Sequence, residues 1–183
     1  MSLRSMTIQP NLDDLLNKGD IIDKCVSGDD YKIDPNGDGI KIDFSNSSPS
    51  FSFSFQESRF FLTIDLLKKG IPGDVLDFVR PKIRITQKVN HRRDCSARLL
   101  FAAQLNSERF LWDPEGKVQK EKTREWEQWV DAEWEEMSIE FSGYPSGIRH
   151  LNILNQGSDR LFWKGFYGPK ITDFKIEIIM PSC

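Results

Sequence analysis

The stretch Ser50-Phe51-Ser52-Phe53-Ser54-Phe55 alternates hydroxyl and phenyl side chains with period two. Successive side chains of an extended strand point to opposite faces, so the three rings share one face and the three hydroxyls the other. A helix, with its period of 3.6, would scatter the rings around its axis instead. The run therefore predicts a β-strand. The same reading extends outward. Phe60 to Leu67 is apolar apart from Thr63 and Asp65, as in a strand covered on both faces, and Gly70, Pro72 and Gly73 end it. Ile83 and Ile85 alternate with Lys82 and Arg84, Cys95 to Leu105 is a longer apolar run, and Met137, Ile139 and Phe141 alternate with Ser138 and Glu140. Ile148 to Leu154 and the final Phe174, Ile176, Ile178 alternation bring the count to about eight to ten strands, with turns at intervals that suit a sandwich or jelly roll. The expected fold class is all-β, an antiparallel β-sandwich.

Three segments do not follow this pattern. Residues 1–28 are polar and read as a partly flexible lead-in, with Leu12, Leu15 and Leu16 spaced for one helical turn behind Asn11 as N-cap. The β domain is expected over 29–183. From Glu121 to Glu136, Trp126, Trp129, Val130 and Trp134 fall at helical spacing among seven acids and two bases. Either a short amphipathic helix or a long solvated loop, with Trp134 opening the next strand, fits that segment. Asp34-Pro35-Asn36-Gly37-Asp38-Gly39 matches the opening positions of a calcium loop, but Ser45 stands where the ion needs a bidentate Glu. A hairpin turn using the positive φ of Asn, Asp and Gly is the better reading, and no metal site is expected.

A net charge of −3 and a pI near 5.5 give no concentrated basic field, so neither nucleic acid nor an anionic membrane is an expected partner. Cys25, Cys95 and Cys183 are odd in number and far apart, which suggests neither a disulfide framework nor a zinc site and fits a cytoplasmic setting. No nucleophile with its base, paired carboxylates or phosphate-binding glycine loop is apparent, so no cofactor and no catalysis are expected. His91, in the polar turn Asn90 to Asp94, and His150, within a predicted strand, read as structural or solvent-facing, and Cys95 as a buried thiol.

The most informative residues lie near the C-terminus. Trp134 and Phe141-Ser142-Gly143-Tyr144-Pro145-Ser146-Gly147-Ile148-Arg149 precede Gly157-Ser158-Asp159-Arg160-Leu161-Phe162-Trp163-Lys164-Gly165-Phe166-Tyr167-Gly168. Phe162-Trp163-Lys164 sets an aromatic pair and a cation in a turn between glycines. An indole face stacks on the apolar face of a sugar ring while Lys and carboxylates bond its hydroxyls, so this is a candidate carbohydrate-binding tip. Spacing equally allows Trp163 to plug the end of the sandwich.

This pattern resembles the F-box-associated domain, in which an aromatic-Trp-Lys-Gly-aromatic-aromatic-Gly stretch follows a Tyr-x-x-Gly-x-Arg turn. The similarity runs upstream through Ile64-Asp65-Leu66, the Val75 to Pro81 connector and the hairpin at 90–94. It implies a ten-stranded, galactose-binding-like jelly-roll sandwich. Members are substrate receptors of cullin-based ubiquitin ligases, and some bind the chitobiose core of N-glycans on misfolded glycoproteins. Carried over by position, the resemblance implies Phe162, Trp163 and Lys164 as sugar contacts, Phe51 or a neighbour as a partner ring from the facing loop, and Asp94 as the acid. Phe162 replaces a tyrosine of sugar-binding members, Glu57 stands where the family usually has Trp, and Glu108 to Glu125 is longer and more charged than the usual connection. The F-box itself is expected to be missing, since residues 1–30 are short and polar. Ligase components would then be partners only through an F-box supplied elsewhere. The implied function is non-enzymatic recognition of glycoprotein clients; the alternative is a protein-interaction module of the same fold, without sugar affinity, using segment 121–136.

Overall fold

A computed structural model describes residues 5–9, 40–43, 50–108, 118–131 and 133–181. The helical turn expected at Leu12 to Leu16, the Asp34–Gly39 turn, Cys25 and Cys183 lie outside these residues. Ten strands are described: β1 Met6–Ile8, β2 Ile40–Asp43, β3 Ser50–Phe53, β4 Ser58–Asp65, β5 Lys82–Asn90, β6 Ala97–Asn106, β7 Gln119–Trp126, β8 Glu135–Phe141, β9 His150–Asp159 and β10 Lys170–Ile179. One sheet runs β2-β3-β10-β5-β8, with β1 also paired to β10; the other runs β4-β9-β6-β7. Every described pairing is antiparallel. The expected all-β sandwich is what the chain forms.

Inward alternation builds the core. Phe51 and Phe53 from β3, Ile83, Ile85 and Val89 from β5, and Ile171, Ile176 and Ile178 from β10 face Phe60, Leu62 and Ile64 of β4 and Leu99, Phe101 and Leu105 of β6, all buried. The Ser50–Phe55 alternation becomes strand only as far as Phe53. There the backbone bonds pass to another segment: Phe53 donates to the Pro169 carbonyl at 3.0 Å and accepts from Gly168 at 2.9 Å. Segment 121–136 is not a helix. Its first half is β7, an edge strand whose charged side chains are mostly exposed, which is how sheet edges avoid pairing with other chains. Its remainder is a loop up to β8, so Trp134 does stand immediately before a strand. β1 draws residues 6–8 of the lead-in onto β10, with Ile8 opposite Ile176.

One polar pair crosses the core. Gln87 of β5 and Asn155 of β9 exchange amide bonds at 2.7 and 3.0 Å, and both side chains are buried. Each amide satisfies the other where water cannot. Gln87→Ala is expected to strand the Asn155 amide and destabilise the fold by about 1–3 kcal/mol. The double replacement Gln87→Leu with Asn155→Leu should recover most of that loss in urea unfolding. A double variant no more stable than the single one would contradict this.

The strand directions sort the loops into two ends. At one end lie the β4–β5, β6–β7 and β8–β9 connections; at the other lie β3–β4, β5–β6, β7–β8 and β9–β10. The first end is clamped by the Tyr-x-x-Gly-x-Arg turn. Tyr144 donates its hydroxyl to the Pro81 carbonyl at 2.9 Å, and burial pushes this phenol up to about 12. Arg149 grips Asp77 with two bonds of 2.9 and 2.7 Å, while the Gly147 amide reaches the same carboxylate at 2.7 Å. Gly147 sits at φ 92, a backbone angle that suits glycine. Asp77 belongs to a single π-helical turn, Val75–Val79, so the motif pins the β4–β5 connector to the β8–β9 turn.

The Arg149 guanidinium, followed by the Gly147 amide, pulls the Asp77 carboxyl from its ordinary 3.8 to about 2. The unfolded chain takes up this proton at higher pH than the folded one, so the clamp contributes fully above pH about 4 and fades as pH falls towards about 2. Asp77→Asn is expected to lower the melting temperature at neutral pH and to flatten its decline between pH about 4 and 2. Parallel melting curves for the two proteins across that window would refute the assignment.

Candidate functional site

Among the described residues the second end carries three exposed aromatics, Trp129, Phe162 and Trp163, while Phe78 is exposed in the Val75–Val79 turn at the first end. The β9–β10 loop, residues 160–169, enters and leaves by backbone bonds to both sheets: Asp159 donates to the Ser54 carbonyl at 3.0 Å and Arg160 to the Ser96 carbonyl at 2.9 Å, with the Phe53–Gly168–Pro169 bonds at its far side. Gly168 is required by this closeness, since a Cβ there would lie 2.8 Å from the Phe53 carbonyl oxygen and 2.9 Å from that of Ser54. At Gly157 a Cβ would fall 2.7 Å from the Pro169 ring. The two glycines that bracket the motif therefore let the loop lie flat against its supports.

Between these anchors Phe162 is 77% exposed and Trp163 is 39% exposed. The sequence left open whether Trp163 plugs the core, and its exposure shows that it does not. Tyr167 meets Trp163 edge to face, 6.1 Å between centroids at 84°. The Arg92 guanidinium, from the β5–β6 loop, lies 4.3 Å above the Tyr167 ring. Arg92 also forks onto Asp94, at 2.9 and 2.7 Å, and this pair holds the Asp94 carboxyl below the usual carboxylate range. A continuous chain, Asp94–Arg92–Tyr167–Trp163, thus ties two loops together and orients the indole. Lys164 is exposed beside it. Asp94, Phe162, Trp163 and Lys164 all lie at this end.

Phe51 has a different place. It is 3% exposed in β3, its ring tilted 34° to that of Phe60 with 4.9 Å between centroids, and it pairs with Ile171 of β10, so it belongs to the core and not to a facing loop. Its ring face is the one that meets the opposite sheet. Phe55, on the same alternation but past the end of β3, is the half-buried phenylalanine of the β3–β4 loop. The sequence places Arg92 in a polar turn and gives no sign of its link to Tyr167, because a cation and an aromatic in separate turns carry no local signal of stacking.

The β7–β8 loop completes the end. Trp126 is buried against His91, rings 5.4 Å apart, and donates its indole N–H to Glu135 at 2.8 Å. His91 is itself buried, with Nδ1 3.3 Å from the Cys95 carbonyl, so it is structural and not solvent-facing. Burial pushes the Cys95 thiol up to about 12, far from a reactive thiolate. Trp129, in contrast, is 64% exposed, while its amide donates to the Arg93 carbonyl at 2.6 Å and Gln128 reaches the Asp94 carbonyl at 3.0 Å. Trp129 and Phe162 both hold positive φ, 70° and 55°, which costs a non-glycine residue about 1–2 kcal/mol. Among the described residues no group of three His, Cys, Asp or Glu side chains could hold a metal ion, and no helix is long and apolar enough to cross a membrane.

Residues 17–178 match the family described as the F-box associated region. The chain belongs to that family. F-box only protein 6 of Mus musculus is 31% identical over 157 residues, covering 82% of this chain and 51% of that protein. F-box only protein 44 of Homo sapiens is 30% identical over 156 residues, covering 84% and 60%, and F-box only protein 2 of Bos taurus is 26% identical over 157 residues, covering 82% and 51%. The chain spans about half the length of most of these relatives.

Proposed function

We propose that this domain is the client-recognition part of a ubiquitin-ligase substrate receptor, and that its loop end holds the chitobiose core of N-glycans on glycoprotein clients in the cytoplasm without transforming it. The observation that carries this reading is Trp163, partly open to solvent yet held through Tyr167 and Arg92 to Asp94. A ring fixed before the ligand arrives loses little conformational freedom on binding, so the contact it makes is retained as affinity. Sugar C–H groups stack on the indole, while Lys164 and the remaining lone pairs of Asp94 take the hydroxyl and acetamide groups. Phe162 adds apolar area beside it. Phe55 replaces Phe51 as the ring of the β3–β4 loop. Coupling to a ligase requires an F-box, the module that the relatives' names record.

Titration of the folded chain with chitobiose is expected to give weak binding that chelators do not affect and that Trp163→Ala abolishes with little change in melting temperature. Phe162→Tyr should tighten binding a few-fold, because it restores a hydroxyl worth about 0.5–1.5 kcal/mol when bonded. A client retained after enzymatic removal of its glycans, together with no response to chitobiose, would overturn the sugar reading in favour of a protein epitope.

A further inference from the structure

The end that carries the sugar contacts proposed above also exposes apolar side chains on the β7–β8 loop. Trp129 is 64% exposed and Val130 46% exposed, beside each other on a loop whose neighbours are acids. Residues 125–136 contain six acids and no base. Glu125 is engaged by Arg98 and Arg160, and Glu135 by Arg124. Asp131, at the rim of the apolar pair, is 91% exposed and meets Arg93 only at 3.8 Å, and Glu133 is exposed as well. This loop is not free to wander. The Trp129 amide and the Gln128 side chain are bonded to the β5–β6 loop at Arg93 and Asp94, the loop that also carries the proposed acid contact. Trp129 is kept outward at positive φ when a turn residue of another type would fold there with less strain.

From these observations we infer that Trp129 and Val130 form a second, peptide-reading surface, whose occupant is an extended client segment bearing apolar side chains flanked by Lys or Arg. The apolar pair supplies buried area and the acid rim supplies charge selectivity. Because Gln128 and Trp129 are bonded to the Asp94 loop, a glycan on Trp163 and the polypeptide near its attachment point would contact one continuous end of the sandwich. This rests on the reading that the loop end is where clients dock, and it adds which part of the polypeptide is read.

The test uses the full chain and two soluble labelled peptides, one of leucine, tyrosine and lysine and one with glutamate at every lysine position. Fluorescence anisotropy at low salt is expected to show binding of the basic peptide and none of the acidic one, with affinity falling as salt rises. Trp129→Ala should weaken binding by about tenfold or more. The pair Asp131→Lys with Glu133→Lys, which leaves Trp129 in place, should reverse the peptide preference. Trp163→Ala should leave peptide affinity within about twofold, as expected for separate contacts. Equal affinity for the two peptides, binding of neither, or indifference to Trp129→Ala would overturn the inference. Chitobiose titration of the same variants keeps the two readings apart: loss of the sugar response on Trp163→Ala with no peptide effect of Trp129→Ala sinks the peptide surface alone, and the converse sinks the sugar reading alone.

Discussion

The seam where β3, β9 and the start of β10 meet governs the rest of this structure. Two sheets that share a core have open corners at their ends, and the chain must cross each corner without leaving backbone groups unpaired. Here Phe53 exchanges two bonds with Gly168 and Pro169, and Ser54 accepts from Asp159, so the β9–β10 loop is stitched to the last residues of β3. Because Gly168 and Gly157 offer no Cβ, the loop can come this close. Its aromatic tip is then carried outward on a frame as firm as the strands, and the exposure of Phe162 and Trp163 follows from where the stitching leaves them.

The two halves of the C-terminal motif thereby divide their work between the two ends of the sandwich. Tyr144, Gly147 and Arg149 meet Pro81 and Asp77 and lock connections at one end. The Phe162-to-Gly168 run presents rings at the other. Such a division suits a recognition domain: binding residues concentrate on loops at one end of a rigid scaffold, while the opposite end absorbs the cost of order. The ion pair of Arg92 with Asp94 is exposed and adds little to stability by itself. Its value lies in geometry, since the same guanidinium covers Tyr167, the ring that Trp163 meets edge to face.

Much of this was legible in the sequence. Strict alternation at Lys82–Ile85 and at Met137–Phe141 could be read as strand because half of each run is buried and half is not, while Ser50–Phe53 shows the same alternation with its serines buried as fully as its rings. β7 was illegible for the opposite reason. As an edge strand it exposes nearly every side chain, so Gln119 to Glu125 shows no alternation, and the chance spacing of Trp126, Trp129 and Trp134 imitates a helix. The loop placement of Phe51 came from position in the resemblance, although its alternation with Phe53 already sets both rings on one face of a strand, and both are buried. The resemblance singles out Asp94, Phe162, Trp163 and Lys164 by position, whereas the contact of Arg92 with Tyr167 joins distant segments and only the fold creates it.

Native-state hydrogen exchange at the amides of Phe53, Asp159, Arg160 and Gly168 reports whether the seam holds, because these four N–H groups are its stitches. Protection close to that of the central strands β9 and β10 is the predicted result, with opening only on global unfolding. Exchange as fast as that of an open loop would mean that the aromatic tip is not held in advance of its ligand, and the account built on that frame would fail.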